Sequence, residues 1–276
     1  MNANSYIKHY LISKNKKYNE FLKIYKKEFL SKRQLFLIAI THSINKIYKL
    51  NISSKNFKYL IGPWLDEFTK IYLLRKFHFK KINKKLTDPK IRTLLIGNDF
   101  SDFITYSNNI DFNLNFFSNF SKNNQKFKTK FTRRKKTFSL YYNLKFLIIR
   151  FLISLLITKQ STLLINSRFS KITILKLFFL SRFKVLPFFH YGQYNLNTNN
   201  KNIKSDKRKI LLNELNKRIV SKEAKLIVDC LPLAYFENFN YFYNFSSKIF
   251  KKIPKNIFTT TAHLDDEVLK FSLLRW

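Results

Sequence analysis

The order of predicted elements between Thr162 and Phe188 restricts the fold more than any other feature of the chain. Thr162–Ile165 and Phe183–Phe188 are short apolar runs of the kind that form buried strands. Lys171–Leu180, which lies between them, has the apolar spacing of a helix. Two strands joined through a helix pair in parallel, so this order predicts an α/β protein with a parallel sheet.

A second strand and helix follow near the end of the sequence. Asn256–Thr260 is predicted as a buried strand, and Asp265–Arg275 as a helix with acidic residues at its start. A parallel unit needs a further strand, and the sequence stops at Trp276. Residues 136–276 are therefore predicted as a Rossmann-like α/β domain that is incomplete at its C-terminus.

Residues 1–135 are predicted to be mainly helical. Apolar spacing indicates one helix over residues 1–36 and another from Leu35 to Ile47. In the next helical segment Pro63 is tolerated only in the first turn, so we predict that this helix begins there. Residues 118–136 are polar, basic and poor in aliphatic side chains, which indicates a basic linker at the end of the region.

The net charge of the chain is strongly positive. The sequence contains 53 Lys and Arg against 16 Asp and Glu, a formal charge of +37. This charge suits a polyanionic partner. However, Lys far outnumbers Arg, and Asn, Phe and Tyr are abundant while Gly is rare, as an AT-rich coding sequence would produce. Since Arg is the residue that recognises phosphate through two parallel hydrogen bonds, both explanations stay open: a functional basic surface and codon bias.

The rare residue types exclude several classes of protein. With three Gly the sequence has neither a P-loop nor a dinucleotide-binding glycine motif, which disfavours nucleoside triphosphatases and dinucleotide enzymes. A single Cys cannot form an internal disulfide or a cysteine-based zinc site. The five His have no metal-ligand spacing, so no metal site is predicted.

The sequence predicts neither a membrane span nor a signal peptide. The most apolar run, Phe146–Ile157, contains Arg150 and is shorter than the roughly 20 apolar residues that a spanning helix needs. Met1–Tyr10 lacks an apolar segment followed by a cleavage site. A cytoplasmic protein is predicted.

The turn at Gly62, Pro63 and Trp64 brings three of the rarest residue types of the chain together. The favoured interpretation is a structural motif, in which Trp64 anchors a helix start by packing on Phe68. Direct contact with a substrate is the alternative.

The turn between the strand Asn256–Thr260 and the following helix is a second candidate. In open α/β sheets, ligands bind at the carboxyl ends of the strands, and a helix N-terminus attracts anions. Asp265, Asp266 and Glu267 occupy that helix start. They are therefore either site residues or charges that interact favourably with the helix dipole.

Several segments, in this order, resemble the transferases encoded in bacterial O-antigen and surface-polysaccharide gene clusters. The most specific are the Gly-Pro-Trp-Leu block and the Asp-Glu turn. The matching residues are Asn45, Ser53, Ser54, Phe57–Leu65, Phe68, Arg75, Asp99–Asn113, Leu231–Pro232, Tyr235, Glu237–Phe239, Ile257–Thr259, Asp266, Glu267 and Lys270.

This resemblance implies the front half of a two-domain glycosyltransferase-like (GT-B-like) enzyme of lipopolysaccharide or other surface polysaccharide biosynthesis. Such enzymes transfer a sugar or related group from a nucleotide-activated donor, a substrate and not a cofactor, to a carbohydrate or lipid-linked acceptor. Transfer needs a base for the acceptor hydroxyl, and Asp266 or Glu267 is predicted as that carboxylate, with His263 as a neighbouring polar group. The Lys-rich surface would suit peripheral docking on the anionic inner membrane.

The sequence also departs from that family. It lacks the family's opening strand and its glutamine-histidine-glycine-glycine motif, which implies a truncated gene product, one half of a split gene or a decayed copy, without the catalytic C-terminal half and inactive alone. The rival prediction is a basic ribosomal or other RNA-binding protein. It rests on composition and on the basic-aromatic run Phe127–Lys136, which could stack on and neutralise single-stranded RNA.

Overall fold

The protein has an α/β fold that is mostly helical and contains a small parallel sheet of three strands. The computed structural model describes residues 16–82, 92–96, 103–104, 127–131, 152–153, 155–165, 167–188, 205–249, 252–260 and 267–275. The chain divides into two compact units, each made of two segments. Unit 1 comprises Met1–Thr132 and Asn202–Glu237, and unit 2 comprises Arg133–Lys201 and Asn238–Trp276.

Two long helices, α1 (Lys16–Tyr48) and α2 (Ser54–Ile82), pack against each other in unit 1. The turn between them is held by Asn45, whose amide donates to the Ile52 carbonyl at 2.8 Å and accepts from the Ile52 N–H at 3.2 Å. Ser53 caps α2, because its hydroxyl accepts from the Asn56 N–H at 3.1 Å. The sequence divided α1 into two helices, but no Gly or Pro interrupts it and it is continuous.

Helix α2 does not begin at Pro63, and that prediction was wrong. Pro63 lies inside the helix, which starts nine residues earlier at Ser54. A proline ring disfavours helical geometry in the residue before it, partly by a clash with that residue's Cβ. Gly62 occupies that position and has no Cβ, so the helix can pass through the proline at lower cost.

The remainder of the described part of unit 1 consists of short elements. Strand β1 (Arg92–Ile96) pairs in parallel with β2 (Phe127–Phe131), which lies inside the segment predicted as a linker. Two helices follow, α4 (Ser205–Asn216) and α5 (Ser221–Cys230), before a 3₁₀ turn at Leu233–Tyr235. Helix α4 packs on both α1 and α5.

Unit 2 contains the predicted strand–helix–strand arrangement. Strand β3 (Thr162–Ile165), helix α3 (Lys171–Leu180) and strand β4 (Val185–Phe188) follow one another. Ser170 caps α3 by accepting from the Thr173 N–H at 3.1 Å. The two strands are parallel, as predicted, with Ile165 opposite Phe188.

The third strand of this sheet comes from the end of the chain. Helix α6 (Phe239–Ile249) leads to strand β5 (Asn256–Thr259) and helix α7 (Glu267–Arg275). β5 pairs in parallel with β3, so the strand order is β4-β3-β5. Phe271 of α7 packs on two phenylalanines of α6 and closes the core of the unit.

No helix in the described part of the chain is both long and apolar enough to cross a membrane.

Candidate functional site

The strand order in the sheet of unit 2 reverses at β3, and a ligand can bind at such a point. The chain leaves β3 and adds β4 on one side, whereas β5 lies on the other side of β3. The connections that follow β3 and β5 therefore start next to each other, at the ends marked by the opposed residues Ile165 and Thr259. In open α/β sheets the crevice at such a point, outside the carboxyl ends of the strands, is the usual ligand site.

The loop after β3 forms one side of this edge. Ser167 is buried, and Arg168 adopts a left-handed conformation with φ of 56° that turns the chain sharply. Phe169 stacks on Phe258 of β5, with ring centroids 5.4 Å apart and an angle of 12° between the planes. Both rings are partly exposed, so an aromatic surface beside a cation is open to solvent at the carboxyl edge.

Helix α7 follows β5 and contains Glu267, the one predicted catalytic residue that lies among the described residues. Glu267 is its first residue, and its carboxylate forms an ion pair with Lys270 at 2.8 Å. Glu267 is 6% exposed and Lys270 is 0% exposed. Glu267 is thus at the helix start and also a member of a buried ion pair, which the sequence analysis did not predict. His263 and Asp266, the other two predicted catalytic residues, lie outside the described residues.

Trp64 lies in the core of unit 1. It is fully buried, stacks on Phe68 with a centroid distance of 5.0 Å, and meets Phe103 edge to face at 5.9 Å. Phe68 is the neighbour that the sequence predicts for a structural Trp. Gly62 has room for a side chain, since a Cβ there would lie 3.6 Å from a Lys58 side-chain carbon, the nearest atom apart from its chain neighbours and the adjoining helix backbone. The need for glycine at position 62 is thus explained by the proline ring that follows it, and not by crowding from other side chains.

A buried carboxylate that the sequence did not single out also lies in unit 1. Glu223 of α5 accepts from the Tyr72 hydroxyl at 2.6 Å and pairs with Lys32 at 2.7 Å. Burial, followed by the hydrogen bond to Glu223, raises the pKa of Tyr72 above its usual range. Arg75, one turn along α2, is buried as well, and burial lowers its pKa to about 10.

Glu237, which belongs to the segment that carries the family resemblance, has a partner that the sequence did not reveal. The Arg208 guanidinium binds both of its carboxylate oxygens, at 2.5 and 2.9 Å. The same guanidinium donates to the carbonyls of Val228 and Leu231. Arg208 therefore fixes the chain from the end of α5 to Glu237 in one position, as a rigid bidentate group can.

One signal in the sequence could have identified one of these buried carboxylates. Acidic residues are scarce, and Glu267 stands directly before Val268 and Leu269, which are buried. Glu223 carries no such signal, because Lys222 and Lys225 lie on either side of it. The partner itself could be read from spacing only for Glu267, because Lys270 is three residues away whereas Lys32 is distant in sequence.

Among the described residues, no group of three or more His, Cys, Asp or Glu lies together in a way that could hold a metal ion. The absence of a metal in the whole protein stays a prediction.

The comparison with protein families identifies the class of this chain. Residues 9–275 match the sequence model of the LIC12162 family transferase. Because the match covers nearly the whole chain, the protein belongs to this transferase family. No curated protein matches the chain, and no solved structure does.

Proposed function

We propose that the protein is a transferase of bacterial surface carbohydrate biosynthesis that moves a glycosyl or related group from a nucleotide-activated donor. The family match supports the transferase class. The observation that supports a nucleotide donor is the exposed aromatic pair, Phe169 and Phe258, at the point where the strand order of the parallel sheet reverses. A GT-B-like two-domain architecture is part of the same proposal.

The chemistry of this edge fits a nucleotide. A base can stack on the open face of an aromatic ring, an interaction worth roughly 1–3 kcal/mol. The exposed guanidinium of Arg168, next to Phe169 in the chain, can neutralise a phosphate of the donor. The hydroxyl groups of Thr259 and Thr260, at the end of β5, can accept hydrogen bonds from the sugar or donate hydrogen bonds to it.

The transfer step requires a base for the acceptor hydroxyl and positive charge for the departing phosphate. Asp266 and Glu267 are the candidate carboxylates for proton transfer, with His263 as a neighbouring polar group, because all three follow the strand whose end forms the edge. Arg168, at the carboxyl edge of the sheet, is the proposed cation that would stabilise the departing phosphate.

Nucleotide binding tests the proposal directly. Uridine, cytidine, guanosine and adenosine diphosphates would be titrated into the full chain by calorimetry. We expect one of them to bind, and Phe169→Ala to weaken that binding about tenfold, because about 1.4 kcal/mol of stacking is lost. Phe183→Ala is the matched control, since Phe183 is similarly exposed but lies before β4, away from the carboxyl edge.

Two results would contradict the proposal. One is the absence of binding by all four nucleotides; the other is an equal loss of binding in Phe169→Ala and Phe183→Ala. A tight, sequence-selective complex with single-stranded RNA, together with no nucleotide binding, would favour the RNA-binding alternative.

A further inference from the structure

The outward face of helix α3 is apolar. In a helix that packs on a sheet, the face turned away from the sheet is normally polar. On α3, Ile172 is 68% exposed and Phe179 is 62% exposed, and they lie on one face at positions i and i+7. Half-buried residues, Leu177 and Phe178 among them, are on the inner side, where the helix contacts β4. The large apolar side chains on the outward side are Ile172, Leu175, Phe179 and Leu180.

Exposed basic residues lie in the same segment as these apolar side chains. The exposed cations on the helix and just after it are Lys171, Lys176, Arg182 and Lys184. Every charged residue between Asp111 and Asp206 is a Lys or an Arg, so no carboxylate from this long stretch offsets them. We call these eight residues, the four apolar and the four basic, the docking surface.

We propose that the docking surface binds the face of an anionic lipid bilayer. Its apolar side chains would enter the boundary between headgroups and acyl chains, and its Lys and Arg would contact anionic headgroups. A helix of ten residues is about 15 Å long, which is too short to span the roughly 30 Å hydrocarbon core and suits a position in the interface plane. This inference goes beyond transfer chemistry, because vesicle binding requires no donor or acceptor.

Charge and side-chain type favour lipid over the other occupants. Single-stranded RNA would use the cations, but it stacks on aromatic rings, and Phe179 is the only ring among the four apolar side chains of the docking surface. A second copy of the chain would bring the same cluster of cations against itself, which costs energy through like-charge repulsion. A bilayer with anionic headgroups uses both the aliphatic side chains and the positive charge.

Vesicle flotation of the full chain tests the proposal. The probes are phosphatidylcholine vesicles, pure or with about a third phosphatidylglycerol. We expect binding to the anionic vesicles and at least about tenfold less to the pure ones. The variant Ile172→Glu/Phe179→Glu should lower binding to anionic vesicles about tenfold, because two exposed apolar side chains no longer enter the interface.

The control is Leu30→Glu/Ile210→Glu. These two residues are 71% and 49% exposed on α1 and α4 of unit 1, and their substitution changes the net charge by the same amount. Vesicle binding of this control should stay close to wild type. All four positions are exposed, so folding should survive in both variants, and circular dichroism would confirm it.

Several outcomes would overturn the proposal. Equal loss in both double variants would mean that net charge alone drives binding, and absence of wild-type binding would exclude a lipid partner. If vesicles do not bind but a labelled RNA oligonucleotide does, and only Ile172→Glu/Phe179→Glu weakens it, the surface is a nucleic-acid surface. If sedimentation instead shows a dimer that only this variant dissociates, it is a contact between copies.

Discussion

The ion pair between Glu267 and Lys270 leads to the most specific prediction about stability. The sequence alone allows Glu267 to be a helix-start charge, and Glu267→Gln would then cost only about 0.3–1 kcal/mol. In the structure both partners are buried, with their charged atoms 2.8 Å apart. Removal of the carboxylate charge leaves the Lys270 ammonium buried without it, for which the typical cost is about 3–5 kcal/mol.

The two magnitudes are easily separated by urea unfolding. Small proteins lose about 1–3 kcal/mol of unfolding free energy per molar urea, so Glu267→Gln should lower the midpoint by about 1.5–2.5 M at a slope near 2. Lys270→Met should have a similar effect, because it leaves Glu267 buried. The double variant Glu267→Gln/Lys270→Met should recover much of the loss, since no charge then remains without its partner.

Asp206 and Lys209 provide a matched control at the same three-residue spacing. Their carboxylate and ammonium are 3.4 Å apart, and both side chains are mostly exposed. Asp206→Asn should therefore cost less than about 1 kcal/mol. If Glu267→Gln shifts the midpoint no more than Asp206→Asn does, or if the double variant is as unstable as the sum of the single ones, the buried-pair argument is refuted.

Three further predictions concern unit 1. Trp64→Ala should cost about 3–5 kcal/mol and abolish cooperative melting, because it empties the space beside Phe68; a normal melt would contradict this. Gly62→Ala should destabilise the protein more when Pro63 is present than in a Pro63→Ala background, because only the proline ring clashes with the new Cβ; a double-mutant cycle by thermal melting measures this coupling, and a value of zero would refute the explanation. Cys230 is buried and burial raises its thiol pKa, so a disulfide reagent at neutral pH should label it only on unfolding; rapid labelling of the folded chain would show that α5 opens easily.

Local signals in the sequence were sufficient to predict the strands of the unit 2 sheet and the parallel pairing of β3 with β4. Strand β3 and helix α3 have the predicted bounds, and β4 starts two residues later than predicted. The parallel pairing follows from chain order alone, because the connection through a helix determines it. β5 and α7 were also predicted within two residues at their starts.

The features that sequence reasoning missed depend on contacts between distant segments. Pro63 is a strong local signal for a helix start, but the packing of α2 on α1 and the burial of Trp64 stabilise a helix that continues through it. Strand β2 has the basic and polar composition of a linker, and only its partner β1 makes it a strand. The partner of Glu237, Arg208, is 29 residues away and no local pattern indicates it.

The burial of Glu267 also bears on which carboxylate would accept the proton in the proposed transfer. A general base must hold a free lone pair within reach of the acceptor hydroxyl. The Glu267 carboxylate is already engaged by Lys270 inside the core of unit 2, and protonation would break that pair. We therefore propose that Asp266 accepts the proton and that Glu267 is a positioning residue, which orients the start of α7.

On this assignment Asp266→Asn should lower the transfer rate about 10²–10⁴-fold with a small change in melting temperature, whereas Glu267→Gln should lower the melting temperature strongly. If Asp266→Asn transfers normally, Asp266 is not the base.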